Sequence, residues 1–142
     1  CCVFFSEAQT YEYQVITSVE SIIPSGAGRS RLISTNEARN YQDFTSERTD
    51  GKKTKDKRNN SDRSEIRVKN FEETKLLNFF NIAGIRFQNI AANDAVITSK
   101  INTMSSDGWE LAFVTSAVES DAGKDDGKGI FITRYIFKKL KE

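Results

Sequence analysis

The residue types that usually carry enzymatic chemistry are scarce in this sequence. It contains no histidine, and therefore lacks the commonest general base and the commonest metal ligand. A Ser-His-Asp arrangement is impossible, although serines are frequent. Hydrolysis by two carboxylates needs both acids in one cleft, and the spacing of the acidic residues nominates no such pair. We predict a non-enzymatic protein with no catalytic, cofactor-binding or metal-binding residues; a carboxylate-based hydrolase is an alternative.

A glycine-rich turn offers a possible anion site. Residues 25–31 read SGAGRSR, which combines backbone N–H groups with the guanidiniums of Arg29 and Arg31. The segment lacks the lysine and the following helix of a phosphate-binding P-loop. A plain hairpin turn is the simpler interpretation. Binding of a small ligand or anion at this turn is the second functional hypothesis.

Two charged clusters could bind ions or nucleic acid. Asp121, Asp125 and Asp126 could bind Ca²⁺, but their spacing misses the EF-hand pattern, which favours a solvated turn. The segment 45–69 is polar and nearly free of apolar residues, and predicts a flexible insertion. Its basic residues have no interleaved aromatic residue for base stacking: Lys52, Lys53, Lys55, Lys57 and Arg58. With a formal net charge of only +1, we predict no nucleic-acid partner.

The first nine residues, CCVFFSEAQ, resemble the end of a secretory signal peptide. Small residues at Ser6 and Ala8 would suit cleavage before Gln9. A second interpretation makes Cys1 a lipid-modified lipoprotein N-terminus, and a third makes the segment the free terminus of an intracellular chain. Adjacent Cys1 and Cys2 provide no disulfide framework. We predict export to the periplasm or cell envelope, with membrane attachment only if Cys1 is lipidated.

The elements that would position these groups begin with a hairpin. From Thr10 the chain alternates, with Tyr11, Tyr13 and Val15 on one side and Glu12 and Gln14 on the other. After the glycine-rich turn, a second strand is predicted over 29–35, and a short helix over 36–44.

The segment 93–139 predicts a helix followed by two strands. Asn93 is the expected N-cap and Gly108 the expected stop of a helix over 93–107, with Ile97, Ile101 and Met104 forming its apolar stripe. Trp109 then opens a strand, and a last strand covers 130–139. Trp109 could be a binding platform, but a core anchor is the favoured interpretation.

The connecting segment 71–90 and a possible repeat are less defined. A phase slip at Gly84 indicates a bulged strand, and a helix over 72–81 is the rival. The sequence VITSVES at 15–21 resembles VTSAVES at 114–120. Two hairpins of similar design are one explanation of this likeness, and chance is the other.

Three segments together resemble a small bacterial family described only as a domain of unknown function. They are YEYQV at 11–15, GWEL at 108–111 and RYIFK at 134–138. The resemblance covers about half the chain and implies the fold, while it transfers no catalytic residues. The region 48–69 departs from the family pattern as an insertion.

These features predict one α+β domain over residues 10–142. It should have an antiparallel sheet of four or more strands, with one helix packed on a face and a long polar insertion. The leading functional hypothesis is an exported binding or assembly module, with a subunit of a cell-envelope complex as its specific form. Its expected partners are other proteins or further copies of itself.

Overall fold

The computed structural model describes residues 8–47, 61–120 and 129–142, and forms two compact units. The sheet unit runs to Ser34 and resumes at Glu72, and the small unit is Thr35–Phe71. In chain order the elements are β1 (Tyr11–Ser21), β2 (Ser30–Ser34), α1 (Arg63–Ile66), β3 (Glu72–Leu76), β4 (Phe80–Asn81), β5 (Gly84–Ile85), α2 (Phe87–Ser106), β6 (Glu110–Glu119) and β7 (Ile130–Leu140). No helix among these residues is both long and apolar enough to cross a membrane.

Five antiparallel strands form the main sheet in the order β3-β2-β1-β7-β6. This confirms the α+β prediction of a sheet with four or more strands. The long central strands β1 and β7 pair along their whole length, from Tyr11 opposite Leu140 to Ser21 opposite Ile130. The predicted β1–β2 hairpin is also present. Strands β3 and β6 form the two edges.

Helix α2 covers one face of the sheet and closes a small core. Ile97 and Met104 of α2 pack with four buried strand residues, Ile16, Leu32, Leu76 and Phe137. Along β1 the buried positions are Ile16, Ser18, Glu20 and the last residue, Ser21, while Tyr13 and Val15 are exposed. The alternation of β1 is therefore correct, but the more apolar of its two sides is the side that faces away from the helix.

The predicted start of the main helix is wrong, and its end is confirmed. Helix α2 begins at Phe87, and Asn93 lies buried inside it. The N-cap preference of Asn93 is overridden because its amide bonds elsewhere in the fold, as described below. At the other end, Gly108 has φ of +91°. Trp109 N–H donates to the Met104 carbonyl at 3.0 Å and Gly108 N–H to that of Ser105 at 3.0 Å, which is a Schellman cap.

The segment 71–90 is neither one bulged strand nor a helix over 72–81, and its last four residues already belong to α2. Strand β3 ends at Leu76, and a separate two-stranded hairpin, β4–β5, follows. The phase slip seen in the sequence marks the turn of this hairpin, where Gly84 has φ of +124°. A glycine adopts such a φ without the clash that a Cβ would cause.

The small unit is tied together by Glu37 and Arg39. The Glu37 carboxylate accepts backbone N–H groups from Lys69 and Asn70 and the Arg39 guanidinium at 2.9 Å. These bonds, that of Arg39 foremost, hold the pKa of Glu37 below its usual range. The helix predicted over 36–44 is only a 3-10 turn, Tyr41–Phe44. Residues 48–60 of the predicted insertion lie outside the described residues, so its flexibility stays a prediction.

Candidate interaction surfaces

A buried polar cluster joins α2 to the sheet through Asn93. Its Nδ2 donates to Glu20 Oε2 at 2.9 Å and to the Leu77 carbonyl at 2.7 Å, and its Oδ1 accepts the Leu77 N–H at 2.7 Å. One amide thus satisfies both backbone groups of Leu77 just after β3 and a carboxylate of β1. The helix is locked over the sheet at this point.

Glu20 is the acid in the sheet unit that most resembles a catalytic group. Burial raises the pKa of Glu20, while the hydrogen bond from Asn93 opposes the rise. Burial also raises the pKa of Tyr135 on the neighbouring strand. The Ser18 hydroxyl opposes that rise weakly without reaching hydrogen-bond geometry. Only 6% of Glu20 is exposed, which denies a substrate access, so this cluster gives the hydrolase alternative no support.

The turn at 25–31 is fastened from inside by Asn78. The Asn78 amide donates to the carbonyls of Gly26, Ala27 and Gly28 at 2.9, 3.3 and 3.0 Å, and its Oδ1 accepts the Ser30 hydroxyl at 2.6 Å. Carbonyl oxygens rather than N–H groups therefore converge at this turn. Arg31 is also engaged, since its Nε lies 2.7 Å from Glu73 Oε1. This arrangement fits an internal clamp better than an anion site.

The other sequence candidates are not assembled into a site by the described residues. Asp121, Asp125 and Asp126 and the basic residues 52–58 lie outside the described residues. Within the parts of the chain that the structure covers, no three His, Cys, Asp or Glu side chains are placed to hold a metal. Trp109 is half-buried and packs against the core cluster, as a core anchor should. The small unit has an open cavity of about 520 Å³, whose lining includes Arg39, Asp43 and Glu65.

The sheet face opposite α2, called the open face here, is lined with apolar side chains. No described residue of the sheet unit forms a second layer over it. The strand register places Val15, Ile136 and Phe113 in one row across β1, β7 and β6. Four residues further along each strand, Val19, Ile132 and Ala117 form a second row. Phe113 is 61% and Tyr13 63% exposed, so large apolar side chains stand in solvent.

Arg134 lies between the two apolar rows of the open face. It pairs with Thr17 on one side and Thr115 on the other, and its own side chain is exposed. Among the residues that the structure describes, no carboxylate forms an ion pair with it. An unpaired guanidinium within an apolar surface suits the binding of a carboxylate or phosphate, because its planar donors can bond two oxygens at once. The sequence showed Arg134 only as an interruption of an apolar strand; the register reveals its setting.

The hairpin β4–β5 presents a second exposed apolar group. Ile82 at its tip is 95% exposed, and Ile85 and Phe87 beside it are also exposed. Its base is held in place because Arg86 N–H donates to the Phe79 carbonyl at 2.8 Å. Local periodicity does not reveal this tip, because residues 80–87 are predicted as part of one bulged strand.

Comparisons with known proteins add no relative to this geometry: no family model, no curated protein and no solved structure matches the chain. The resemblance to the domain of unknown function therefore stays a prediction. The surfaces described above have to be interpreted from their own chemistry.

Proposed function

We propose that this protein is a non-enzymatic binding or assembly module that docks a partner protein on its open face. The observation that carries the proposal is Arg134, which lies between two apolar cross-strand rows and has no ion-pair partner among the described residues. Apolar side chains that stay in solvent cost free energy, of about 25 cal/mol per Å² of apolar surface. Contiguous apolar surface of this kind is typical of interaction sites.

The chemistry of the open face specifies the partner surface. Val15, Ile136 and Phe113 require apolar side chains opposite them, and Arg134 requires a carboxylate. A carboxylate that meets Arg134 inside a dry interface forms a bidentate ion pair, and such buried pairs fix orientation as well as contributing affinity. The partner is therefore a folded protein that presents an aspartate or glutamate within an apolar patch.

The proposal includes export, which rests on sequence alone. Residues 3–9, VFFSEAQ, join an apolar run to small residues in the manner of a cleavage site. Protein expressed from the full gene in its source cell should then begin near Gln9, or carry acyl chains on Cys1. Intact-mass measurement separates these outcomes from an unprocessed N-terminus, which would contradict export.

A photo-crosslinking residue at position 113 tests the open face directly. Illumination in the source cell should give one dominant protein adduct, because Phe113 would lie inside the interface. The adduct should disappear in the variant Arg134→Glu, which turns the required ion pair into a repulsion. Arg29→Glu, which alters an exposed cation at the turn instead, is the matched control and should leave the adduct unchanged.

Folding has to be checked alongside binding. Because Arg134 is exposed, Arg134→Glu should keep the thermal unfolding midpoint close to that of the wild type. An adduct with a different protein that persists in Arg134→Glu, or the absence of any such adduct at position 113, would contradict the proposal. An adduct of twice the chain mass that disappears in Arg134→Glu would mean that the open face binds a second copy instead of a different protein.

A further inference from the structure

Strand β6 is exposed along its whole length. All ten of its residues are exposed, including Val114 at 44% and Val118 at 59% on the side that faces α2. Ser18 and Ser116 show the contrast, since both lie opposite Thr133 on the two sides of β7. Ser18 is fully buried under α2, and Ser116 is exposed. The helix leaves this part of the sheet bare.

Strand β6 is also an edge without the usual protection. On the side away from β7, no described strand pairs with it. Edge strands are normally blocked by a central charge, a proline or short length. The segment between Glu110 and Glu119, LAFVTSAV, has neither a charge nor a proline. Its one irregularity is a bulge between Leu111 and Phe113, which leaves 113–119 as a regular stretch.

We propose that β6 pairs antiparallel with β6 of a second copy of this chain, about a two-fold axis at Ser116. Such an axis stands perpendicular to the sheet and continues it as one ten-stranded sheet. Residues directly opposite each other must point to the same face, because side chains alternate along a strand. A two-fold axis that passes between two residues of β6 would place residues of opposite faces against each other, so it is excluded. The axis must therefore pass through a residue.

Matching of side chains selects the register among the central positions. With the axis at Ser116, Val114 lies opposite Val118 of the second copy, and Thr115 lies opposite Ala117. An axis at Thr115 would place Val114 against a serine, and an axis at Ala117 would place Thr115 against Glu119. With the axis at Ser116, the exposed Val114 and Val118 therefore contact each other across the two copies. Glu119 of one copy lies far from Glu119 of the other. No like charges meet across the pair.

The size of this contact sets its expected strength. Seven paired residues at about 3.4 Å each span roughly 24 Å. A contact of this length lies at the small end of specific interfaces, which begin near about 1,200 Å². We therefore expect a reversible dimer with a dissociation constant in the micromolar range. The contact is made by the backbone edge of β6 and does not involve Arg134, so it does not rest on the open-face proposal.

Opposite charges introduced at Ser116 in two separate variants test this pairing. In sedimentation experiments from roughly 5 to 200 µM, a range that brackets a micromolar constant, the wild type should pass from monomer to dimer. Ser116→Lys and Ser116→Glu should each weaken dimerisation at least tenfold, because each residue meets its own copy. An equimolar mixture of the two variants should restore the dimer. Asn102→Lys, at an exposed position of α2, is the control for added charge and should dimerise as the wild type does.

A second measurement fixes the register. In a background with Cys1→Ser and Cys2→Ser, single cysteines at 115, 116 and 117 should form disulfide-linked dimers fastest at 116. A wild type that stays monomeric throughout, a Ser116→Lys variant that dimerises normally, or a mixture that fails to dimerise would each overturn the proposal. None of these results depends on Arg134, so the open-face proposal fails or stands separately.

Discussion

Asn93 on α2 and Glu20 on β1 meet in the core, with Asn93 Nδ2 2.9 Å from Glu20 Oε2, although 73 residues separate them in sequence. This bond and the two bonds to Leu77 make Asn93 the polar lock between helix and sheet. A buried amide with every polar atom satisfied specifies one packing arrangement, because any slip leaves partners unsatisfied.

The first prediction follows from this lock. Asn93→Ala should lower the free energy of unfolding by about 3 kcal/mol or more, because it leaves both backbone groups of Leu77 and the Glu20 carboxylate without a partner. Asn102→Ala, on the exposed side of the same helix, should change it by about 0.5 kcal/mol at most. Urea denaturation of both variants measures the difference. An equal loss of unfolding free energy in the two variants would show that the hydrogen bonds of Asn93 do not hold α2 on the sheet.

The second prediction concerns the pH dependence of stability. Since burial raises the folded-state pKa of Glu20 above its unfolded value near 4.5, the folded protein binds more protons than the unfolded one between these two values. The wild type should therefore lose stability as pH rises from about 4.5 through the raised pKa. Glu20→Gln keeps an oxygen for Asn93 and cannot ionise, so it should lack this decline.

Urea denaturation at several pH values from about 4 upward follows this change. The difference in unfolding free energy between Glu20→Gln and the wild type should grow in favour of the variant as pH rises, and then level off. A constant difference would mean that Glu20 titrates normally.

The sequence predicts those features of the fold that depend on neighbouring residues, and it does not predict those that depend on contacts between residues far apart in the chain. The hairpin, the α+β class of fold with four or more antiparallel strands, and the Gly108 stop follow from local periodicity and turn chemistry, which short segments contain. Asn93 was assigned to a cap because an isolated helix would use it so. Its true partner, Glu20, is distant in sequence, and no local pattern carries that information.

The interaction surfaces, too, could not be predicted from local sequence patterns. Phe113 and Val15 look like core residues by type, yet both are exposed because a single helix covers only one face of the sheet. The likeness of 15–21 to 114–120 has a structural counterpart, since both segments flank β7. Register aligns Thr17 with Thr115 and Ser18 with Ser116, one residue out of step with the sequence match. Only tertiary pairing could reveal that shift.

The third prediction compares two glycines. Gly26 has φ of +80°, and a Cβ there would lie 2.8 Å from the Phe80 carbonyl oxygen. Gly84 also has a positive φ, but a Cβ there would meet nothing within 4 Å. Both alanine variants bear backbone strain, on the order of 1–3 kcal/mol each. Only Gly26→Ala must in addition push β4 away from the 24–28 turn.

Gly26→Ala should therefore destabilise the protein by at least about 1 kcal/mol more than Gly84→Ala, in line with the cost of overpacking. Thermal unfolding of the two variants gives the comparison. If both variants lose the same unfolding free energy, β4 can move away from the added methyl group at position 26 at little cost.

The last prediction decides between the two interpretations of Trp109. Its ring packs against the core cluster, and Lys139 Nζ lies 5.6 Å from the ring centroid while donating to the Asp107 carbonyl at 3.0 Å. Trp109 thus joins the end of α2 to the start of β6. Because the ring is only half-buried, Trp109→Ala should cost about 2 kcal/mol, below the 3–5 kcal/mol of a fully buried aromatic.

Two variants complete that test. Trp109→Phe keeps an aromatic face beneath Lys139 and should recover at least half of the loss, because the ring still attracts the ammonium and fills most of the volume. Phe87→Ala removes an aromatic residue that is 75% exposed at the start of the same helix, and it should cost little. Urea denaturation of all three variants gives the ranking. If Trp109→Ala costs no more than Phe87→Ala, the ring does not anchor the core. Trp109 would then be a binding platform, and its replacement should reduce partner capture without reducing stability.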